Sequence, residues 1–412
     1  MKDNNIKRQN VYRIIMLFIL TIVITSMVTT IVMYNKFGGS KNTKYITVRE
    51  TSETTDENLP KILSDFKRVL KEKYIGDMDE SKMLDGAIKG YIEALGDPYT
   101  EYLDKEEMAK FKEETNAEYV GIGVYLSANK EDNTILVVGV MKGAPALDAG
   151  MQAGDIITKV EGEQYTGEQI DNAIKILKGV ENTDVKVTVL RDGKELELNI
   201  TRKKITVEHV ASQMLQNNIA YIQVDSFDSG VAEAFKSQIT DLKDKGATGI
   251  ILDLRSNGGG IVDEATGIAD VFLNKDETIL ITKAKNKDEK HTKATHDATI
   301  KDIPIVVLVN QGTASASEIL TGALKDKYPN TTVVGKTTYG KGVIQTLYEL
   351  SDGTGLKITT EEYYTPNHNK INKEGIKPDI EVELTKNEEG VFETGFEKDA
   401  QILKAIETLN KW

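Results

Sequence analysis

Two residues in this sequence have the type and setting for covalent chemistry. Ser315 lies among small residues in Gln311-Gly-Thr-Ala-Ser-Ala-Ser-Glu318, just ahead of an apolar helical run. Lys341 follows in Tyr339-Gly-Lys-Gly342, with Gln345 four positions further on. A serine needs a base before it becomes a nucleophile. The only histidines are His209, His291, His296 and His368, none in a setting suited to a triad, so lysine is the better activator. Lysine serves only when neutral, which requires desolvation to lower its pKa. Gln345, projecting from the same face of a segment that becomes a strand, could hydrogen-bond the amine and fix its direction.

Each residue also has a plainer reading. A serine at a strand-to-helix junction is most often a helix cap. Thr313, Ser317 and Thr321 compete with Ser315 as hydroxyls, and Ser317 is the natural N-cap because Glu318 opens the helix. Ser315 would then sit in the loop beside the Ala316 N–H. Lys341 read alone is a solvated turn lysine. Asp253-Leu-Arg-Ser-Asn-Gly-Gly-Gly260 follows a buried strand, and its glycines could expose N–H groups of the kind a developing oxyanion requires. A mobile glycine turn explains the same residues. Gly335-Lys336-Thr337 imitates the end of a phosphate-binding loop, but Asn330 stands where that loop needs glycine, and Thr331-Thr-Val-Val334 are strand formers.

The elements that must hold these residues alternate. Ile219–Val224, Gly249–Leu254, Pro304–Val309, Thr331–Val334, Val343–Tyr348 and Leu356–Thr360 read as strands. Helices are expected from the Val231, Phe235, Ile239, Leu242 spacing and over Ser317–Lys325. This is the pattern of an α/β core. Ahead of it, about 90 residues form a small β-rich block. Tyr119–Leu126 reads as one strand entered through two glycines, then Thr134–Val140, a short helix at Ala144–Ala149, Ile156–Val160 and an amphipathic helix at about Gly167–Lys178. A hairpin over Val185–Leu190 and Glu195–Ile200 turns at Asp192-Gly193. Leu59 to about Lys112 is helical in pattern, broken at Gly96-Asp97-Pro98, and Gly395–Trp412 reads as an amphipathic helix.

Composition excludes several classes. The formal net charge is -13 and the sequence contains no cysteine. Nucleic acid is therefore not expected as a partner, and disulfides, thiolate metal sites and a cysteine nucleophile are ruled out. Scattered histidines argue against zinc. Ile14–Met33 carries no charge and matches a bilayer's hydrocarbon thickness of about 20 residues, with Lys2, Lys7, Arg8 and Arg13 ahead of it. The positive-inside rule then places residues beyond Tyr34 outside the cytoplasm. A cleaved signal peptide is the alternative, although no convincing small-x-small cleavage site follows and the run is longer than a typical signal-peptide core.

Taken together, these segments resemble the carboxyl-terminal processing proteases, serine peptidase family S41, with a Ser–Lys dyad and a PDZ domain. The resemblance spans nearly the whole chain after the apolar segment. Tyr119-Val-Gly-Ile-Gly-Val124 is similar to a PDZ carboxylate-binding loop, and Ala144–Gly150 with Gln152–Ile157 to the pattern that follows it. Asp253–Gly260 resembles the family's strand-end glycine motif, with Gly258 where proline is common. Gln311–Glu318 resembles the nucleophile motif, with Thr313 where serine is usual. Gly340–Gln345 resembles the lysine motif, and Tyr364-Thr-Pro366 with Gly375–Asp379 the closing pattern. The resemblance implies an α/β, ClpP/crotonase-like protease core with an inserted PDZ domain, an N-terminal helical region and a single transmembrane helix. It makes Ser315 the nucleophile, Lys341 the base, Gln345 its orienting partner, and the N–H groups of Ala316 and Gly259 the oxyanion hole. Gly121, Ile122, Gly123 and Val124 become the substrate-binding edge, where a peptide adds as a strand. No metal or organic cofactor is implied.

The expected organisation is a cytoplasmic N-terminus (1–13), a transmembrane anchor (14–33), a linker (34–58) and an N-terminal helical region (59–115) suited to homodimerisation. A PDZ domain (116–203), a protease core (204–386) and a C-terminal helical segment (387–412) complete it. The expected function is a single-pass, membrane-anchored endopeptidase of a bacterial cell membrane, acting outside the cytoplasm on protein or peptide substrates with free C-termini. A catalytically silent PDZ scaffold for exposed C-termini is the first alternative. An acyl-CoA enzyme of crotonase type is the second, since folds are shared between chemistries.

Overall fold

A computed structural model describes residues 59–385 and 395–412. The expected anchor at 14–33 and its linker lie outside the described residues. Among the described residues no helix is long and apolar enough to cross a membrane. The chain forms two compact units, one ending at Met83 and the other running from Leu84 to Trp412. In the first, the helix Leu59–Lys73 has Leu63, Phe66 and Leu70 exposed, and Lys67 pairs with Glu80 at 2.7 Å.

The second unit is built on a six-stranded sheet. In order across it run Val210–Met214, Ile219–Val224, Gly249–Asp253, Ile305–Val309, Thr331–Gly335 and Ile380–Glu381. The first pair is antiparallel and the remaining pairs are parallel. Gly249–Asp253 and Ile305–Val309 are buried at every position because both faces of the sheet are covered, which is why they read as unbroken apolar runs. Ile222, Ile250, Leu252, Val307 and Val309 face the helices Val231–Asp244, Val262–Ala269 and Ala316–Lys327. Tyr221, Ile251, Val306 and Leu308 face the helix Ala400–Leu409 through Ile402, Ala405 and Leu409. Each such Ile or Leu contributes about 1.5–3 kcal/mol by burial.

A second, antiparallel sheet joins Glu101–Leu103, Gly355–Tyr364, Thr278–Ala284 and Lys290–Lys293, with Val343–Glu349 also paired to Gly355–Tyr364. The segment expected to be helical over 59–115 therefore contains a strand, whose Glu101 pairs with Lys357 across the chain. Its last helix, Lys105–Thr115, is capped by Asp104 and Glu107 and leads into the β-rich module.

That module has its own core, including Ile135, Val137, Ile157, Val185, Val187 and Val189. Its hairpin turns through Asp192 (φ 50) and Gly193 (φ 75), the left-handed pair that an Asp-Gly turn supplies. The expected single strand Tyr119–Leu126 is two strands. Glu118–Gly121 pairs with Lys203–Thr206 as a stem, whereas Val124–Asn129 pairs with Thr134–Val140. The break falls at Gly123, whose φ is +75 and where a Cβ would meet the Ala144 Cβ at 2.3 Å. Only glycine turns the chain here.

Candidate active site

The two chemical loops meet because their parent strands are parallel neighbours. Ile250 to Asp253 register with Ile305 to Leu308, so the chain leaves both strands at the same end of the sheet. That end is where open α/β sheets place ligands. Three bonds stitch the loops: Ala314 N–H to Asn257 O (3.0 Å), Thr313 Oγ1 to Leu254 O (2.8 Å) and Ser317 Oγ to Asn257 O (3.0 Å). Thr321 donates to Ser317 O within the helix at 2.7 Å. Three of the four competing hydroxyls are thus occupied by backbone. Of the four, Ser315 alone lines the cleft, which measures about 670 Å³ and also takes in Lys341, Gln345, Gly258 and Gly260.

Ser317 was expected to cap the helix, yet the cap position belongs to Ser315, with the helix beginning at Ala316. The reason is Glu318, whose carboxylate turns back to accept the Ser315 N–H at 2.9 Å. This holds Ser315 at φ 57, ψ -116, a conformation costly for a residue with a side chain.

Glu318, which joins the two candidate segments, is the residue that sequence reasoning passed over. Fully buried, it accepts from Ser315 N, Lys341 N (2.9 Å), Gly340 N (2.8 Å) and Thr338 Oγ1 (2.5 Å). Burial raises its pKa, against the pull of these donors. One carboxylate therefore joins the serine's backbone to the lysine's. Tyr363, also buried, does the same from the other side: its hydroxyl lies 2.5 Å from Lys341 O and 3.0 Å from Ser315 O. A signal for Glu318 was present in the Ser-x-x-Glu spacing of a capping box. Tyr363 has no local signal.

Lys341 is half-buried, and its pKa is lowered first by desolvation and then by the nearby charge of Lys357. Its Nζ stands 4.8 Å from the centre of the Tyr99 ring. No hydrogen bond joins that Nζ to Ser315 Oγ or to Gln345. The Gln345 side chain instead donates to Thr359 Oγ1 at 3.2 Å. The expected same-face relation fails because Lys341 precedes the strand, which starts at Val343, and the register shifts between Ile344 and Gln345.

The oxyanion donors are also only partly in place. Ala316 begins the helix beside Ser315, and Gly259 packs so tightly that a Cβ there would sit 2.7 Å from the Ser315 Cβ and 3.0 Å from Ala316 N. Gly259 N–H, expected to face an oxyanion, donates to Asn257 Oδ1 at 2.8 Å. Asn257 is buried and anchored through its Nδ2 to Val224 O at 2.8 Å, so it is a fixed acceptor at hand.

In the β-rich module, Gly121, Ile122, Gly123 and Val124 line a groove of about 120 Å³ together with Tyr119, Leu126, Ile174, Leu177 and Lys178. Val124–Asn129 is the terminal strand of its sheet, so one edge faces the groove. Lys178 forms an ion pair with Glu113, on the helix whose Phe111, Glu114 and Thr115 line the cleft that holds Ser315 and Lys341.

Comparison with known proteins gives three matches along the chain. The profile of Peptidase family S41 matches residues 218–382, that of the PDZ domain 120–201, and that of the Activating protease CtpB N-terminal domain 21–107. A CtpA-like serine protease of Staphylococcus aureus is 36% identical over 389 residues, covering 93% of this chain and 76% of that protein. The carboxy-terminal processing protease CtpA of Bacillus subtilis is 38% identical over 337 residues, covering 82% of this chain and 71% of that protein. A solved structure described as an S41 protease, from Bacteroides fragilis, aligns with a TM-score of 0.52 at 15% identity over 78% of this chain and 90% of that one, a likeness of fold.

Proposed function

Since the chain belongs to peptidase family S41, the serine-type carboxy-terminal processing proteases, we propose that it cleaves peptide bonds with Ser315 and Lys341 as its dyad. Ser315 Oγ attacks the scissile carbonyl while its proton passes to the neutral Lys341 amine. The lysine returns that proton to the leaving amine, and water then hydrolyses the acyl-enzyme. Gln345 directs the amine, and the N–H groups of Ala316 and Gly259 take the oxyanion. The observation that carries this reading is the double tie of Glu318 and Tyr363, which binds the backbones of Ser315 and Lys341 to each other beside one cleft.

Substrates enter by their C-termini. A peptide adds to the strand Val124–Asn129 in the PDZ groove, its carboxylate at Gly121–Gly123. Reaction requires three movements from the present arrangement: Lys341 Nζ leaves the Tyr99 ring for Ser315, the Gln345 amide leaves Thr359 for the amine, and Gly259 N–H leaves Asn257. Gly258 gives the loop freedom for the third. The apolar segment 14–33 anchors the protein, with the catalytic part outside the cytoplasm of a bacterium. The exposed apolar face of Leu59–Lys73 supports a homodimer.

The test compares cleavage of a peptide with an apolar C-terminus by wild type, Ser315→Ala and Lys341→Ala. Both variants should lose at least about 10³-fold in kcat/KM with folding intact. Unchanged cleavage by either removes the dyad.

A further inference from the structure

The Asp97–Thr100 segment is fixed before it reaches the cleft. Asp97 folds back on itself, accepting the Tyr99 N–H at 3.2 Å and the Thr100 hydroxyl at 2.5 Å. This is an Asx turn, which sets the direction of the two residues that follow the proline. Burial pushes the Asp97 carboxyl up, but hydrogen bonds from Thr100, Thr359 and the Tyr99 amide hold it below its ordinary value. Thr100 Oγ1 accepts the Thr359 N–H at 3.0 Å, and Glu101 pairs with Lys357 two residues away. The segment is therefore stapled to the strand Gly355–Tyr364 at the level of the dyad.

Two contacts follow from that placement. The Tyr99 ring presents its face to Lys341 Nζ at 4.8 Å. Thr359, held by Thr100, in turn receives the Gln345 amide at 3.2 Å. Lys341 Nζ is thus engaged by this segment and Gln345 by the strand residue stapled to it, and no hydrogen bond joins either to Ser315.

We infer that Tyr99 is a positioning residue that parks the Lys341 amine on its ring, and that the Thr359 hydroxyl parks Gln345 in the matching arrangement. The inference rests on the reading of Lys341 as the base. A ring face attracts an ammonium and has little attraction for an amine. The parked lysine is accordingly the protonated, idle one. Other groups facing Lys341 are Lys357 and Glu101 from the second sheet, Asp97 from the same segment, and Glu318 from the helix. Glu114, Asp228 and Asp263 line the cleft around it. Replacing the ring leaves all of these in place, so it isolates one contribution.

The experiment measures the pH profile of kcat/KM on the full chain, with the rate of Ser315 labelling by a fluorophosphonate as a second readout. Tyr99→Leu removes the ring; Tyr99→Phe keeps it. Pentafluorophenylalanine at position 99 keeps the shape and inverts the quadrupole, and serves if the leucine variant does not fold. In Tyr99→Leu and in the fluorinated protein the acidic limb should move to lower pH by about half a unit, and labelling below the midpoint should rise about threefold. Tyr99→Phe should match wild type. Thr359→Val should speed labelling without moving the limb, since it removes the acceptor that holds Gln345 and leaves the ring on Lys341.

An unmoved limb in both ring-altered proteins overturns the inference, as does a shift of equal size in Tyr99→Phe, which would assign the effect to the hydroxyl. Lys341→Ala in the wild-type and Tyr99→Leu backgrounds separates the two levels. If it retains activity, the dyad itself fails. If it is inactive while Tyr99→Leu titrates like wild type, only the parking fails.

Discussion

The two grooves of the second unit are made in opposite ways. The PDZ groove draws most of its wall from one contiguous stretch, Tyr119 to Leu126, closed by a single helix. The cleft proposed as catalytic gathers residues from Phe111, Ser226, Gly258, Ser315, Lys341 and Lys357, spread over nearly 250 positions. The first is bordered by Val124–Asn129, the end strand of its sheet. In the second, the proposed nucleophile, base and oxyanion donors line one cleft or adjoin it, yet three of these groups have another partner: a ring for Lys341, Thr359 for Gln345, Asn257 for Gly259. A local groove needs only local geometry. A convergent one depends on whatever ties its segments together, and here the ties are Glu318 and Tyr363.

The sharpest way to break this contrast is at Glu318. Each carboxylate oxygen accepts from two donors, so Glu318→Gln must turn an NH₂ toward a pair of N–H or O–H groups. Stability should fall by about 2–4 kcal/mol in urea titration, and kcat/KM by about 10²-fold, because donors are orphaned and both loops loosen. Wild-type stability in this variant would mean that the convergence is maintained elsewhere.

In the PDZ groove the corresponding stroke is Gly123→Val. A β-branched residue at φ +75 is strained, and its Cβ would overlap Ala144. Affinity for a C-terminal peptide should drop at least about tenfold by fluorescence anisotropy, while fluorophosphonate labelling of Ser315 continues. If labelling fails together with peptide binding, the two grooves are not separable and the contrast is false.

The difference also explains what could be read from sequence. Gly121 to Val124 stand out in sequence because they are contiguous, and the structure places all four in one groove, although period-two reasoning runs through the turn at Gly123 as one long strand. The glycine and small-residue surroundings of Ser315 and Lys341 single them out in the sequence, and the structure brings both to one cleft. Their relation to Gln345 was not legible, since it depends on a register shift at Ile344, which period-two reasoning cannot anticipate. The strands Thr278–Ala284 and Lys290–Lys293 and the helix Val262–Ala269 went unmarked. The edge strand Lys290–Lys293 is polar, Lys-His-Thr-Lys, and acquires strand structure only by pairing with its neighbour. Tyr363 is invisible for the same reason: a hydroxyl matters here only because a strand 22 residues past Lys341 carries it back beneath both loops.

A gentler test concerns the lysine's charge. Burial lowers the Lys341 pKa from its ordinary value of 10.5, so the unfolded chain holds that proton more firmly than the folded one. Stability from this group should therefore rise with pH between the lowered folded value and 10.5, and be least below both. Lys341→Met, which fills similar space without charge, should flatten that slope and gain about 1 kcal/mol near neutral pH. The check is urea unfolding of both proteins across that range. A variant with the wild-type slope would place the amine in water rather than in the cleft wall.

The smallest effect probes the strain at Ser315. Ser315→Ala and Ser315→Gly both remove the hydroxyl, so they differ only in the β-carbon. At φ 57, ψ -116 that carbon is crowded, and relief by glycine should return about 1–3 kcal/mol. Glycine also loosens the unfolded chain, which offsets about 0.4–1 kcal/mol of the gain. Ser315→Gly should accordingly exceed Ser315→Ala in stability by about 1 kcal/mol, measured by urea midpoint at constant slope. Ordinary loop positions with negative φ give the reverse order. Should alanine prove the more stable, the serine is not held against its preference, and Glu318 would be a passive cap rather than the tie that fixes the nucleophile in place.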